Sequence, residues 1–298
     1  MDKKKLFRSP YKSSTLPFVW FFRTSFIISF TRMLIPASEF IDAILIPNRL
    51  ISAGYSTSEA TSIYGIIIGM ATTIAYTPTL VTGALSHTIT MRIASYWQQG
   101  NFDKFHSLSR LSLKIGWLWG LFSATFLFVY AKELSLFIFN TEDAFLSIKY
   151  LAAIPLIVGF REISTSILWS KDVRKTPFIG LIVGISCSIV LQYFLIGIPK
   201  LGYIGAAAGI LSMEIISMIW NFKALNISKY KLKKTFPFIF LDTAVIFFIM
   251  LLSYYFIYSF QETLIDTTRF IITGCLYFLI SGFYMYIRLA PALKINKN

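Results

Sequence analysis

The sequence predicts an all-α, polytopic membrane protein of about eight transmembrane helices, and three observations predict it. Of 298 residues, 56% are hydrophobic and only 14% charged, with a mean hydropathy of +0.66. A soluble globular domain carries about 25% charged residues, so a disordered chain, a disulfide scaffold and an ordinary cytosolic enzyme are all excluded. The apolar residues gather in stretches of about 20, the number a helix needs to cross hydrocarbon. The basic excess, 28 Lys and Arg against 14 Asp and Glu, falls in alternate connections, as the positive-inside rule requires.

Taken in order, residues 1–16 form a polar, basic segment without a small-residue cleavage site, which reads as cytoplasmic rather than as a cleavable signal peptide. The first span runs near 24–47 and contains Pro36, which weakens the local hydrogen-bond ladder and suits a helix that bends. The second, near 61–83, belongs to a stretch with no formal charge from Ala60 through Met91. That is too long for a straight crossing. Pro78 near its middle predicts a kink, or a helix that continues along the inner surface. Further spans are expected near 113–131, 146–169, 176–198 and 203–222, followed by a Lys-rich connection over 223–235. A final pair, 236–258 and 268–287, precedes a basic tail over 288–298.

Of the 28 bases, 21 fall at the amino terminus, in the connections after the second, fourth and sixth spans, or in the tail. The opposite connections hold Arg49, Lys132, Lys149, Lys200 and Arg269. Both termini are therefore expected in the cytoplasm, and an even number of spans agrees. The basic excess reads as topology, with anionic membrane lipids as secondary partners and no nucleic acid. No connection is long enough for a soluble catalytic domain. Cys187 and Cys275 sit in apolar runs and read as small buried hydrophobes. With no metal-ligand spacing, phosphate loop or nucleophile motif, the sequence implies no metal, no cofactor and no enzymatic activity.

Charges inside spans cost about 2.5–3.5 kcal/mol each on insertion scales, so they are functional candidates by default. The first span carries Arg32, Glu39 and Asp42; the fourth Arg161 and Glu162; the sixth Glu214; the seventh Asp242. Counting about 1.5 Å per residue puts Glu39 and Glu214 near the midplane, and Arg32 and Arg161 in the cytoplasmic half. Arg32 and Glu39 are seven residues apart, nearly two helical turns, so they share a face. Arg161 and Glu162 equally suit the neutralisation of partners on neighbouring helices. Asp242 lies close enough to the inner end to snorkel to the interface, and His87 reads as an ordinary polar group.

One block is more specific. Residues 38–71, from Ser38-Glu39-Phe40 through Ile46-Pro47-Asn48-Arg49-Leu50 to Tyr64-Gly65, resemble the polysaccharide-transporter branch of the multidrug/oligosaccharidyl-lipid/polysaccharide exporter superfamily. Thr77-Pro78-Thr79-Leu80, Ala84-Leu85-Ser86 and the turn Leu201-Gly202-Tyr203-Ile204-Gly205-Ala206-Ala207 support the match. The resemblance implies two six-helix lobes related by a pseudo-two-fold axis, plus a final helix pair. On that frame residues 17–222 are similar to the second lobe and 236–287 to the additional pair, while 1–16 fall where an inter-lobe linker would be. The first lobe, or a second copy in its place, is then an expected partner.

The implied activity is flipping of lipid-linked cell-wall or polysaccharide precursors, such as those of peptidoglycan or spore cortex, across the plasma membrane. Arg32 and Arg161 then suit a pyrophosphate, and Glu39, Asp42 and Glu214 suit ion coupling. In one respect the sequence departs from the related lipid II flippases. Where they carry an arginine early in the second span, this chain reads Ile66-Ile67-Ile68-Gly69. The alternatives are a drug/cation antiporter of the same superfamily and a non-transporting membrane partner.

Overall fold

A computed structural model describes residues 16–225, 236–260 and 266–295. The basic residues expected in the amino-terminal segment, most of the Lys-rich connection and the last three residues lie outside that range. The chain is 89% helical, with no strand among the described residues. The elements are α1 (Leu16–Ser52), α2 (Thr57–Tyr64), a π-helical segment (Gly65–Thr72), α3 (Thr73–Tyr76), α4 (Thr79–Gln98) and α5 (Phe102–Val129). They continue with α6 (Ala131–Phe139), α7 (Phe145–Leu151), α8 (Ile154–Ser170), α9 (Lys175–Ile196) and α10 (Gly202–Leu225). The final pair is α11 (Phe236–Phe260) and α12 (Asp266–Ile295).

Among the described residues five stretches are long and apolar enough to cross a membrane: Phe102–Val129, Phe145–Ser170, Lys175–Ile196, Gly202–Leu225 and Thr268–Ala290. A sixth results when Thr57–Tyr76 and Thr79–Gln98, bent by 50°, are taken as one crossing. The other two expected spans are α11, apolar over Phe240–Tyr255, and α1, whose apolar run is interrupted by Arg32, Glu39 and Asp42. The chain is thus a polytopic helical membrane protein, with five to six apolar spans among the described residues.

The bend falls at Pro78, where the sequence predicts it. Proline has no N–H for the carbonyl one turn earlier, and the exposed polar groups find other partners. Thr79 Oγ1 donates to the Tyr76 carbonyl at 2.6 Å, and the Trp119 indole N–H to the Pro78 carbonyl at 2.8 Å. The π-helical segment was not anticipated: Gly-Ile-Ile-Ile-Gly-Met-Ala-Thr reads as ordinary helix from its composition. Such segments widen a helix locally and recur at functional sites.

α8 is the centre of the bundle. It packs on α4, α5 and α10, while α9 packs on α10 and α1. Small residues permit the close approach, as in membrane helix pairs generally. A Cβ on Gly120 of α5 would lie 2.6 Å from the Leu156 Cα, and one on Gly205 of α10 would lie 2.9 Å from the Ile196 nitrogen.

The residues that carry the sequence resemblance hold α1 against its neighbours. Ile46 and Leu50 are fully buried, and Arg49 donates from Nε to the Tyr193 carbonyl at 2.9 Å while stacking over the Tyr193 ring. Ser56 and Glu59 then form a capping box that starts α2.

The helix pair docks on α5 through charges. Asp242 is 2% exposed and accepts from Arg288 Nε at 2.7 Å, from Arg288 Nη2 at 3.2 Å and from the Tyr284 hydroxyl at 2.6 Å. Lys114 of α5 donates to the Arg288 carbonyl at 2.5 Å. One expectation is corrected here. Asp242 is locked inside the protein instead of snorkelling, because a bidentate arginine replaces its hydration. The helix α12 runs on through Arg288 to Ile295. The cysteine reading is also corrected: Cys275 is exposed on α12 and Cys187 half-buried on α9. Their helices turn an apolar face outward, where burial within the protein is not needed.

Candidate functional site

The middle of α8 holds a buried polar cluster. Arg161 is 6% exposed and Glu214 fully buried, and the Arg161 Nε donates to Glu214 Oε2 across the contact between α8 and α10. Tyr76, at the end of α3 just before the bend, donates its hydroxyl to Glu214 Oε1 at 3.2 Å. Asn221, one helical stretch below Glu214, donates to Thr165 Oγ1 at 2.9 Å and to Ser164 Oγ at 3.3 Å. Two buried charges are tolerable in a low dielectric only when paired and hydrogen-bonded, and these are both.

Next to this cluster opens a crevice of about 270 Å³, bordered by α1, α4, α8 and α9. Its charged lining is Arg32, Arg161 and Glu162, with His87, Thr90, Ser86, Ser166 and Trp169 among the neighbours. Arg32 is exposed on α1, its guanidinium 6.0 Å from the centre of the Trp169 ring. That geometry is within cation–π range and leaves the five N–H donors of the guanidinium available. Ser86 and Ser166 hydrogen-bond one another across the contact between α4 and α8. Glu162 is half-buried and accepts from Thr82 Oγ1 at 3.5 Å. Gly83 makes room for it: a Cβ there would stand 3.5 Å from Glu162 Oε2.

The sequence candidates therefore divide into two groups. Arg32 and Arg161 come together at the crevice, and Glu214 stands behind Arg161 as its partner. Glu39 and Asp42 lie further along α1 and do not line the crevice. Glu39 is exposed; Asp42 is half-buried beside Gln192 of α9. Among the described residues Arg32 and Glu39 form no ion pair, although they share a helix face. Pro36 lies between them within a single continuous helix and leaves the Arg32 carbonyl without an intrahelical donor.

Sequence reasoning did not assign Tyr76, Glu162, Trp169 or Asn221 to a site. Glu162 carried a signal, a charge in an apolar span. The other three are common residues in membrane helices, and only the packing gives them partners.

Neither a protein-family model nor a solved structure matches the chain. Among curated proteins, stage V sporulation protein B of Bacillus subtilis (strain 168) is 24% identical over 217 residues. The aligned part is 72% of this chain and 42% of that protein, so the chain spans less than half the length of the relative it matches. Distantly, and in part, the chain is similar to stage V sporulation protein B, in keeping with the resemblance carried by residues 38–71.

Proposed function

We propose that this chain is the carboxy-terminal unit of a flippase-like transporter for lipid-linked cell-wall or polysaccharide precursors. The unit comprises a six-helix lobe over 17–222 and an additional helix pair over 236–287. The observation that carries the reading is the crevice whose lining brings an exposed Arg32 together with Arg161. A guanidinium holds a diphosphate through paired hydrogen bonds, a geometry that a lysine's point charge reproduces poorly. Hydroxyls of Ser86, Thr90 and Ser166 and the face of Trp169 line the rest of the opening, a surface suited to the polar headgroup of such a lipid.

Charges exposed at membrane depth need protein or water beside them. Arg32 and Glu39 are exposed on α1, which supports a second six-helix body across a shared cavity: a lobe preceding this one, or a second copy. Alternating access by rocking one body against the other follows from such an arrangement. Glu39 and Asp42, outside the crevice, are then candidates for ion coupling at that cavity. In this reading the protein sits in the plasma membrane with both termini in the cytoplasm, surrounded by lipid partners, and carries out transport without catalysis.

The test is complementation of a strain lacking stage V sporulation protein B, with a first lobe supplied and membrane abundance measured alongside. Arg32→Ala is expected to abolish function at normal abundance, and Arg32→Lys to restore part of it. Normal function in Arg32→Ala, alone or combined with Glu39→Ala, would overturn the assignment.

A further inference from the structure

The crevice contains a carboxylate that its proposed ligand would oppose. Arg161 is already neutralised by Glu214, which bonds it from the far side and is itself held by the Tyr76 hydroxyl. The remaining formal charges in the lining are Arg32 and Glu162, and they cancel. An empty crevice with Glu162 ionised is therefore close to electroneutral. It offers an incoming diphosphate one free guanidinium and one repelling carboxylate. Among the described residues the Glu162 carboxylate makes no ion pair, and the one side chain that donates to it is Thr82, at 3.5 Å. Protonating Glu162 removes the repulsion and turns the crevice into a net cationic site.

We propose that Glu162 is the residue that links anion binding in this crevice to proton uptake, so that the anionic headgroup enters together with one proton. This rests on the headgroup reading of the crevice given above and adds to it both the coupling ion and the residue that carries it. The groups facing Glu162 are consistent with that role. Thr82 of α4 donates to it, Arg161 of α8 and Glu214 of α10 act on it electrostatically, with Tyr76 of α3 behind them on Glu214, and Arg32 of α1 and His87 of α4 share the crevice lining. No charged residue of α5 or α9 lines the crevice. Of this set, Glu162 and His87 are the proton-accepting groups outside the buried cluster of Arg161, Glu214 and Tyr76. Their signs of action are the same, since protonating either favours an anion, so the test must separate them.

The linkage has a definite direction. The protonated form binds the anion better, so binding raises proton affinity, a proton is taken up, and affinity falls as pH rises. One linked proton corresponds to at most a tenfold loss of affinity per pH unit. The experiment titrates the purified full chain in lipid nanodiscs with farnesyl diphosphate from pH 5.5 to 8.5, using calorimetry in buffers of different ionisation enthalpy to count protons. The ligand's own titration is common to every variant and cancels in the comparison.

Wild type is expected to take up close to one proton more than Glu162→Gln, and to lose affinity more steeply with pH. Glu162→Asp, which keeps the carboxyl group, retains the linkage, and so does His87→Gln. Equal proton counts for wild type and Glu162→Gln, with both binding, overturn the proposal and leave the headgroup reading intact. Loss of the excess in His87→Gln but not in Glu162→Gln assigns the proton to the histidine and also overturns it. Absence of binding by wild type at every pH overturns the proposal together with the reading on which it rests.

Discussion

Arg161 and Arg32 carry the same charge on two helices that border one crevice and meet different fates. Arg161 lies at the most crowded point of the bundle and is held by Glu214; Arg32 faces an opening with only an aromatic ring beside it. Removing one partner of a buried pair strands the other, at a cost of about 3–5 kcal/mol, whereas removing both is often tolerated. Arg161→Met should therefore lower the thermal midpoint and membrane abundance sharply, and Arg161→Met with Glu214→Leu should recover most of the loss. Melting of the detergent-solubilised variants checks this. Arg32→Ala, which strands no buried group, should leave the midpoint nearly unchanged. These residues were legible in the sequence because a formal charge in an apolar run stands out. Their grouping was not, because a sequence does not say which helices are neighbours. Arg32 and Glu39 illustrate the gap: their spacing puts them on one face of α1, but only the packing sets the guanidinium by Trp169.

At the level of elements, two features tie the bundle together. The bend between α3 and α4 directs Tyr76 towards Glu214 and leaves α4 to form one wall of the crevice. Pro78 announced the bend. The Trp119 indole that satisfies the Pro78 carbonyl did not, since nothing local links residues 41 positions apart. Trp119→Phe should remove that bond alone, for about 1 kcal/mol, a small drop in melting temperature with the fold retained. The second feature is Asp242 with Arg288, Tyr284 and Lys114, which fastens α11 and α12 to each other and to α5. Asp242→Ala removes the carboxylate to which Arg288 and Tyr284 donate and should destabilise the pair by about 1–3 kcal/mol. Disulfide trapping between cysteines introduced on α5 and α12 should slow accordingly; unchanged trapping and melting would show that apolar packing alone holds the pair. Asp242 was visible as a charge, but its partner was counted with the tail, because a basic residue near a helix end usually belongs to the interface.

For the whole molecule, composition and charge placement carried the class: an all-helical chain with repeated apolar stretches. The sharper boundaries came from packing, including the π-helical segment and the unbroken run of α12 past residue 288. An exposed Arg32 beside a polar crevice sets the central proposal, that this crevice receives the anionic headgroup of a lipid-linked precursor. Photo-crosslinking tests it most directly. Benzoylphenylalanine would replace Thr90 in the crevice wall or, as a control, Phe248, which is 61% exposed on α11. Membranes containing the full chain would then be irradiated with a radiolabelled lipid-diphosphate-linked sugar. Strong labelling at position 90, weak labelling at 248, and loss of the former in an Arg32→Ala background are predicted. Equal labelling at the two positions, or labelling at 90 that survives Arg32→Ala, would contradict the claim.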